Sequence, residues 1–445
     1  MLPENPNSHI GINATSISQQ TTPSLLELAE QVAAAATAIA KQLREKNVAE
    51  PRLHPPCAGL PDDPEIKEAR QQLLVASRAL GVLSHDPLSH LRETILQFNE
   101  CAALVLVVDW KIAHILELDG TPMHISEIAK RAGAAADEYK LVSALRMLTT
   151  QYIFAELKPG YFAHNSSSVY LAREETELLI GHCNEVLVPS AFKVSEAMRK
   201  WPASTNPTET AFTIGHKTSS PFFPWLLEHP AHITRFNKIM RVMAESSYAR
   251  LRSVYPWRSL GKSTIVDLAG GNGHISHQIA YEAPELRFVL ADLENAVKDA
   301  KETCPVELKD RFEYRVVDFF EKMTIPADVY FMRMILHFMS DEDCVRVVKN
   351  IVPAMKKGSR ILVADGIIPK CDVMPDPKHR YVFNQNWNMI QIMNARERTF
   401  AEVQKIFAQA DLRFRLKQWG EAGGPPSSEI IEAVLADEPA VKWKL

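Results

Sequence analysis

The sequence predicts an α/β protein: an open, largely parallel sheet finished by an antiparallel hairpin and preceded by a mainly helical region with a winged-helix pattern. Three observations carry this. From Ser263 onward, strand-like apolar runs alternate with helix-like stretches, the order that crossover connections impose on a parallel sheet. The stretch Thr264-Ile-Val-Asp-Leu-Ala-Gly-Gly-Asn-Gly-His-Ile-Ser276 runs from an apolar strand through a glycine cluster into the amphipathic segment His274 to Tyr281. That is where an open α/β sheet receives an adenosine-bearing cofactor. Near the chain end, Leu412–Gln418 and Glu429–Leu435 are both strand-like, with only Gly420-Glu-Ala-Gly-Gly-Pro-Pro-Ser-Ser428 as a linker. Parallel neighbours need a longer crossover, so these two should pair antiparallel.

Composition sets the boundaries. With 445 residues, 46% hydrophobic and 23% charged, the chain has material for a sizeable core and about two domains. A net charge of −4 gives no reason to expect nucleic acid or an anionic membrane as partner. The six cysteines lie far apart with no CxxC pair, which argues against a disulfide framework or structural zinc and suits a reducing compartment. Residues 1–22 are rich in Asn, Ser, Thr and Pro and should be disordered; they show no signal-peptide pattern. No apolar run approaches the ~20 residues that span a bilayer. A cytoplasmic protein is expected.

Taken in order, Ser24 to Leu43 has the spacing of a surface-packing helix. Pro51 to Pro64 holds five prolines and reads as a linker or an ordered loop. Helical periodicity resumes from Ile66 through Leu118. Ile125 to Gly133 is a short helix closed by glycine, Asp137 to Gln151 a second one, and Ile153–Leu157 and Tyr161–His164 flank a Lys158-Pro159-Gly160 turn. Helix, turn, helix and hairpin form a winged-helix pattern. The second helix opens Asp137-Glu138 and carries only Lys140 and Arg146, a poor face for phosphates. A packing and dimerisation module is expected there, not a nucleic-acid reader. Further strands are expected at Thr264–Leu268, Arg287–Ala291, Glu313–Val317, Val329–Met332 and Arg360–Ala364.

Gly270, Gly271 and Gly273 allow close backbone approach to a ligand, and the following helix start offers free amides. The third glycine of a GxGxxG fingerprint is Ser276, so the NAD pattern is incomplete. Asp292, closing the second strand, could bind a ribose diol of NAD or of S-adenosylmethionine. Asp318-Phe319 adds a polar group and an aromatic edge suited to an adenine; the alternative for Asp318 is a helix N-cap or turn residue. His337 follows an apolar strand and precedes Ser340-Asp-Glu-Asp343, a capping-box-like helix start, so it belongs at the carboxyl end of a strand where open sheets place ligands.

Five motifs then fall in order: Asp267-Leu-Ala-Gly-Gly-Asn-Gly273, Ala291-Asp-Leu293, Val317-Asp-Phe-Phe320, Arg333-Met-Ile-Leu-His337 with Ser340-Asp-Glu342, and Asn394-Ala-Arg-Glu-Arg-Thr399. Together they resemble the plant caffeate-type O-methyltransferases and especially their fungal secondary-metabolite relatives, from about Ser24 to the chain end. The resemblance implies a class I methyltransferase fold and S-adenosylmethionine as cofactor, with no metal. It implies a cofactor site formed by Asp267, Gly270, Gly271, Gly273, Asp292, Leu293, Asp318 and Phe319. Arg333 matches a basic position near the cofactor, or serves as a partly buried ion-pair partner. His337 takes the place of the catalytic base, flanked by Asp365 and Glu397. Trp387, Met389, Ile390 and Met393, with Met240 or Met243 from an earlier helix and Phe338 beside the histidine, are acceptor-pocket candidates. Phe222, Phe223 and Trp225 could line a lid or a dimer contact.

The implied division is a helical, winged-helix dimerisation domain over 23–165, a helical connector contributing to the pocket over 166–262, and the catalytic domain over 263–445. A homodimer acting on a small-molecule acceptor is expected. Two departures stand out: Phe338-Met339 where relatives often carry a polar or acidic residue and an aromatic, and Asn386 where fungal relatives commonly have aspartate. Both make the site less charged. They motivate an alternative in which the fold binds S-adenosylmethionine but performs a pericyclic or dehydrating cyclisation.

Overall fold

The computed structural model describes residues 22–53, 59–133, 136–370, 375–424 and 428–438, and all their side chains except those of 244–247. The expected disordered start and parts of the Pro51–Pro64 and Gly420–Ser428 segments therefore lie outside the described residues. The chain divides into two compact units, one of residues 1–48, 61–90 and 371–375, the other of 49–60, 91–370 and 376–445.

The smaller unit is a helical hairpin of Leu25–Glu45 and Pro64–Leu83. Ser24 and Glu27 form a reciprocal capping box at the first helix, and Asp63 with Pro64 starts the second. Leu28, Ala35, Ile39 and Leu43 recur at helical spacing and are the buried stripe, which is why this segment packs on one side only.

The larger unit opens with the winged-helix elements. Helices Ile125–Ala132 and Glu138–Thr149 pack over a three-stranded antiparallel sheet of Met123–His124, Tyr161–Ala163 and Ala155–Lys158, around Ile128, Leu145, Leu148, Phe154 and Phe162. Both cations of the second helix are paired: Arg146 with Glu156 at 2.7 Å, Lys140 with its own N-cap Asp137 at 3.4 Å. Helices follow up to Pro230–Val254, among them Glu174–His182, which runs through a π-helical turn at Cys183–Leu187.

The sheet has seven strands, here β1 Thr264–Leu268, β2 Arg287–Asp292, β3 Phe312–Val316, β4 Ala327–Arg333, β5 Met355–Ala364, β6 Phe414–Gly420 and β7 Glu429–Leu435. Their spatial order is β6-β7-β5-β4-β1-β2-β3. The first five are parallel throughout; β7 runs antiparallel to both β5 and β6, as the short linker requires. Side chains alternate between two cores. Val266 and Leu268 face one with Tyr330, Met332, Val363 and Phe407, while Ile265 faces the other with Phe288, Phe331, Leu362 and Trp257. The expected strand ends shift by a few residues, and β5 begins five residues early because Met355 to Ser359 extend it past the buried part. No described helix is long and apolar enough to cross a membrane.

Candidate active site

The strand order reverses between β1 and β4, so their crossovers leave on opposite faces and open a crevice at their carboxyl ends. The loop leaving β1 lies there. Gly271 and Gly273 adopt φ of +58° and +75°. A Cβ at Gly273 would sit 2.5 Å from a Leu290 methyl, and one at Gly270 would overlap the Asp267 carboxylate. Asp267 is buried and accepts a hydrogen bond from the Ser276 hydroxyl at 2.6 Å; burial, with the Asp292 charge adding, pushes it up to about 6. At the end of β2, Asp292 accepts from the amides of Gly271 (2.8 Å) and Leu293 (2.6 Å), so the carboxylate pins the loop. Burial raises its pKa too. The end of β3 is tied to this point by Val317 N–H donating to the Asp292 carbonyl at 3.0 Å. Asp318 beyond it caps a turn, accepting from the Phe320 amide at 2.8 Å, and Phe319 packs on the core. Arg333 ends β4, largely buried, with burial lowering its pKa against the attraction of Asp267 and Asp365.

A few residues on from Arg333 is a second centre. Ile335 and His337 donate their backbone amides to the two oxygens of Asp365, each at 3.1 Å, which fixes the short turn Leu336–Phe338 to the end of β5. His337 Nδ1 lies 2.7 Å from Glu397 Oε1, and both side chains are buried. Glu397 arrives because Arg398–Thr399 pairs in parallel with Ile367–Ile368, just beyond Asp365. Burial drives the His337 pKa down, but the neighbouring charges of Glu397 and Asp365 more than offset it, and the net shift is upward. Asp365 is raised by burial and by Glu397, against the favourable His337. Three groups separated by up to 60 residues thus form one hydrogen-bonded set.

Residues 217–413 match the family of O-methyltransferase domains. The chain is also 31% identical over 397 residues to O-methyltransferase aoiF of Aspergillus oryzae, covering 86% of this chain and 92% of that protein. It belongs to the O-methyltransferase family. A chlorophenol O-methyltransferase of Trichoderma longibrachiatum is 28% identical, with 92% and 90% covered. Among solved structures, OxaC superposes with a TM-score of 0.72 at 20% identity, covering 92% of this chain and 98% of that one, and OxaC has also been solved with SAH and oxaline. A structure described as a pericyclic reaction enzyme reaches 0.69 at 20% identity, covering 91% and 100%. These likenesses agree with the class I methyltransferase fold.

This O-methyltransferase uses S-adenosylmethionine, and the β1 loop suits it on its own evidence. Nothing lies within 4 Å of a Cβ built at Gly271, so the loop faces open space there. His274, the first residue of the next helix, has a buried Nε2 without a partner, while its Nδ1 meets Asn272 at 2.5 Å; burial lowers the ring to about 4. The structure gathers Asp267, Gly270, Gly271, Gly273, Asp292 and Leu293 around this loop.

On the acceptor side, the O-methyltransferase places Met389 in an apolar cluster with Phe212, Phe222 and Trp225, against which Met393 and Phe338 pack. Phe338 lies 5.9 Å from the His337 ring and 5.7 Å from Phe223. Ile390 is half-buried on the same helix. Trp387 is half exposed and, two residues from Met389, falls on the other side of that helix; Met240 is also exposed, and Met243 half-buried.

Sequence reasoning assigned no contact to three residues. Arg398 sits inside the last motif and clamps the His337 turn, donating to the carbonyls of Leu336 and Met339 (2.7 Å each) and to Asp341 (2.8 Å). Asn386 accepts from the Glu397 amide at 2.9 Å, so its carbonyl keeps the role an aspartate oxygen would have. Glu429, the first residue of β7, is buried, as is Glu432 farther along the same strand.

Proposed function

We propose that the enzyme methylates a hydroxyl group of a small aromatic or polyketide-type metabolite, with His337 as general base and Glu397 and Asp365 holding it. The observation that carries this is the buried His337 Nδ1–Glu397 contact of 2.7 Å at the carboxyl end of the sheet. With Nδ1–H donating to Glu397, the lone pair of Nε2 is the free basic site. Bound S-adenosylmethionine supplies an electrophilic methyl group. Gly271 gives it backbone room, while Gly270 and Gly273 let the loop close on Asp267 and Leu290; Asp292 offers a carboxylate to a ribose, and Asp318 and Phe319 lie along the same edge. Arg333 adds positive charge between this loop and the base. His337 takes the acceptor's hydroxyl proton, and Glu397 stabilises the imidazolium that results. Asp365 holds the turn by its two amide bonds, so the ring cannot drift. Phe338, Met389 and Met393, with Phe223, form the apolar side on which a flat acceptor would lie. The chlorophenol-methylating relative supports an aromatic acceptor.

In this reading residues 23–165 serve dimerisation, 166–262 contribute pocket residues and 263–445 carry catalysis. The test is incubation with methyl-labelled S-adenosylmethionine and a panel of phenols, chlorophenols included. Label should pass to a phenol, and His337→Ala should cut turnover at least about 100-fold. Undiminished turnover in that variant would remove the base from the mechanism. Conversion of a substrate without release of S-adenosylhomocysteine would favour a cyclisation chemistry.

A further inference from the structure

We propose that Glu429 is a positioning residue of the His337 centre, a buried carboxyl whose protonation state sets how firmly His337 holds its proton. This rests on the reading of His337 as base and adds a group outside its hydrogen-bonded set.

Glu429 opens β7. Continuing the antiparallel pairing of Ile431 with Val363 sets it opposite Asp365. Its side chain is fully buried at 0% exposure. Oε1 accepts from the amides of Gly423 (2.9 Å) and Gly424 (3.3 Å), and the Ile367 amide also faces the carboxyl. Oε2 has no partner. Glu397 Oε2 has none either, and it lies against Gly366. Both carboxyls therefore border the same two-residue stretch, 366–367, each with one oxygen left unpaired.

The other charged groups around Glu429 are few. Arg250 reaches toward it from helix Pro230–Val254 and is shared with Tyr381; Glu397 faces it from the turn before Arg398; the His379 ring packs against Gly423. Farther round the centre, Arg398 acts on His337 and Asp365, and Arg333 acts on Asp365; even with these cations, three carboxyls and one imidazole in a water-poor space cannot all be ionised freely. Glu397 has the imidazole and Asp365 faces it as well, with two amides of its own. Glu429 has amides but, among the described residues, no cation bonded to it, so it is the member that keeps its proton. Burial, with the Glu397 charge adding, pushes it up to about 8. It thus ionises just above neutrality, where its new negative charge strengthens the grip of the cluster on the His337 proton. The two titrations belong to one coupled system.

Histidine-labelled full-length protein, with the His337 resonance assigned by its loss in His337→Gln, tests this by NMR titration. Glu429→Gln keeps the length and the carbonyl that accepts from Gly423 and Gly424 but removes the ionisation. The wild-type His337 curve should be broader than a single-site curve, and the variant curve single-site with a midpoint lower by about 0.5 pH unit or more. A single-site wild-type curve overturns the proposal even if the variant does not fold, and so do superimposable curves. Thermal unfolding gives a second measurement. Between about pH 4.5 and 8 the unfolded chain has lost the Glu429 proton while the folded one keeps it, so rising pH costs the wild type stability. The Tm of Glu429→Gln should therefore gain on the wild type across that window and the gap should level off above it. A Tm gap independent of pH overturns the proposal. Turnover of His337→Ala reports on the base alone: a loss there with superimposable titration curves sinks the role of Glu429 and leaves the base standing.

Discussion

His337 is poised by opposing forces of similar size, and its pH dependence exposes the balance. Burial favours the neutral ring, while Glu397 and Asp365 favour the imidazolium and prevail. A base must be unprotonated, so kcat/KM should rise with pH through a midpoint above the ordinary 6.5. In Glu397→Gln the prevailing charge is gone, burial takes over, and the midpoint should fall below that of the wild type. The plateau should drop as well, by about tenfold or more, because the ring loses the partner that fixes its tautomer. A pH–rate profile from pH 5 to 10 checks both; an unmoved midpoint would contradict the electrostatic account. At Gly270 the constraint is steric. An added Cβ meets the Asp267 carboxylate, so Gly270→Ala should break the Asp267–Ser276 contact and weaken S-adenosylmethionine binding, read by calorimetry, by about tenfold, which corresponds to ~1.4 kcal/mol. His337 was legible in sequence from the strand before it and the helix start after it, and Asp365 and Glu397 from the resemblance of the motif order to the family's. Glu429 was not. Its place beside Asp365 depends on how far β7 slides along β5, and one residue of slip would send it to the other face. At Asn386 the missing charge was visible in sequence, but its acceptor role toward the Glu397 amide was not.

Elements carry the site by gripping one another's loose ends. The turn Leu336–Phe338 has almost no helix of its own and depends on what holds it from outside. Asp365 holds one side; on the other, the Arg398 fork binds the carbonyls that flank His337 and reaches Asp341 at the next helix start. Arg398→Lys keeps the charge but cannot span both carbonyls. Its kcat should fall by about tenfold or more, as displaced catalytic groups do, with the affinity for S-adenosylmethionine unchanged because the β1 loop does not touch Arg398. Parallel loss of cofactor affinity, measured by calorimetry, would show that the clamp holds more than the turn. The existence and type of the sheet elements could be read from periodicity and from the length of the last linker. Their ends could not, since β5 continues through Met355–Ser359, where the pattern is broken by the exposed Lys356, Lys357 and Gly358. The small pairing of Ile367–Ile368 with Arg398–Thr399 was also invisible, although it delivers Glu397. Two-residue strands have no periodicity to detect.

At the scale of the molecule, the alternation of strands and helices after Ser263 and the closing hairpin were enough to expect the sheet, because connection rules leave few topologies. The helical region was harder to read, since its apolar residues exceed what its own core uses. Helix Pro87–Asp109 buries Ala103, Val107 and Val108, yet Leu91, Ile95 and Phe98 are each at least half exposed. They stand at i, i+4 and i+7, one continuous stripe on one helical face. A stripe of that kind marks an interaction surface, and a second copy of the chain is the partner proposed here. The protein should therefore run in light scattering at twice the chain mass of 50.0 kDa. Leu91→Glu with Ile95→Glu should shift it toward the monomer, since charge cannot be buried against charge at a symmetric contact without large cost. The stripe lies far in sequence from His337, so cofactor binding by the monomeric variant, measured by calorimetry, should persist. A wild type that runs at 50.0 kDa at micromolar concentration would leave the stripe without the proposed partner.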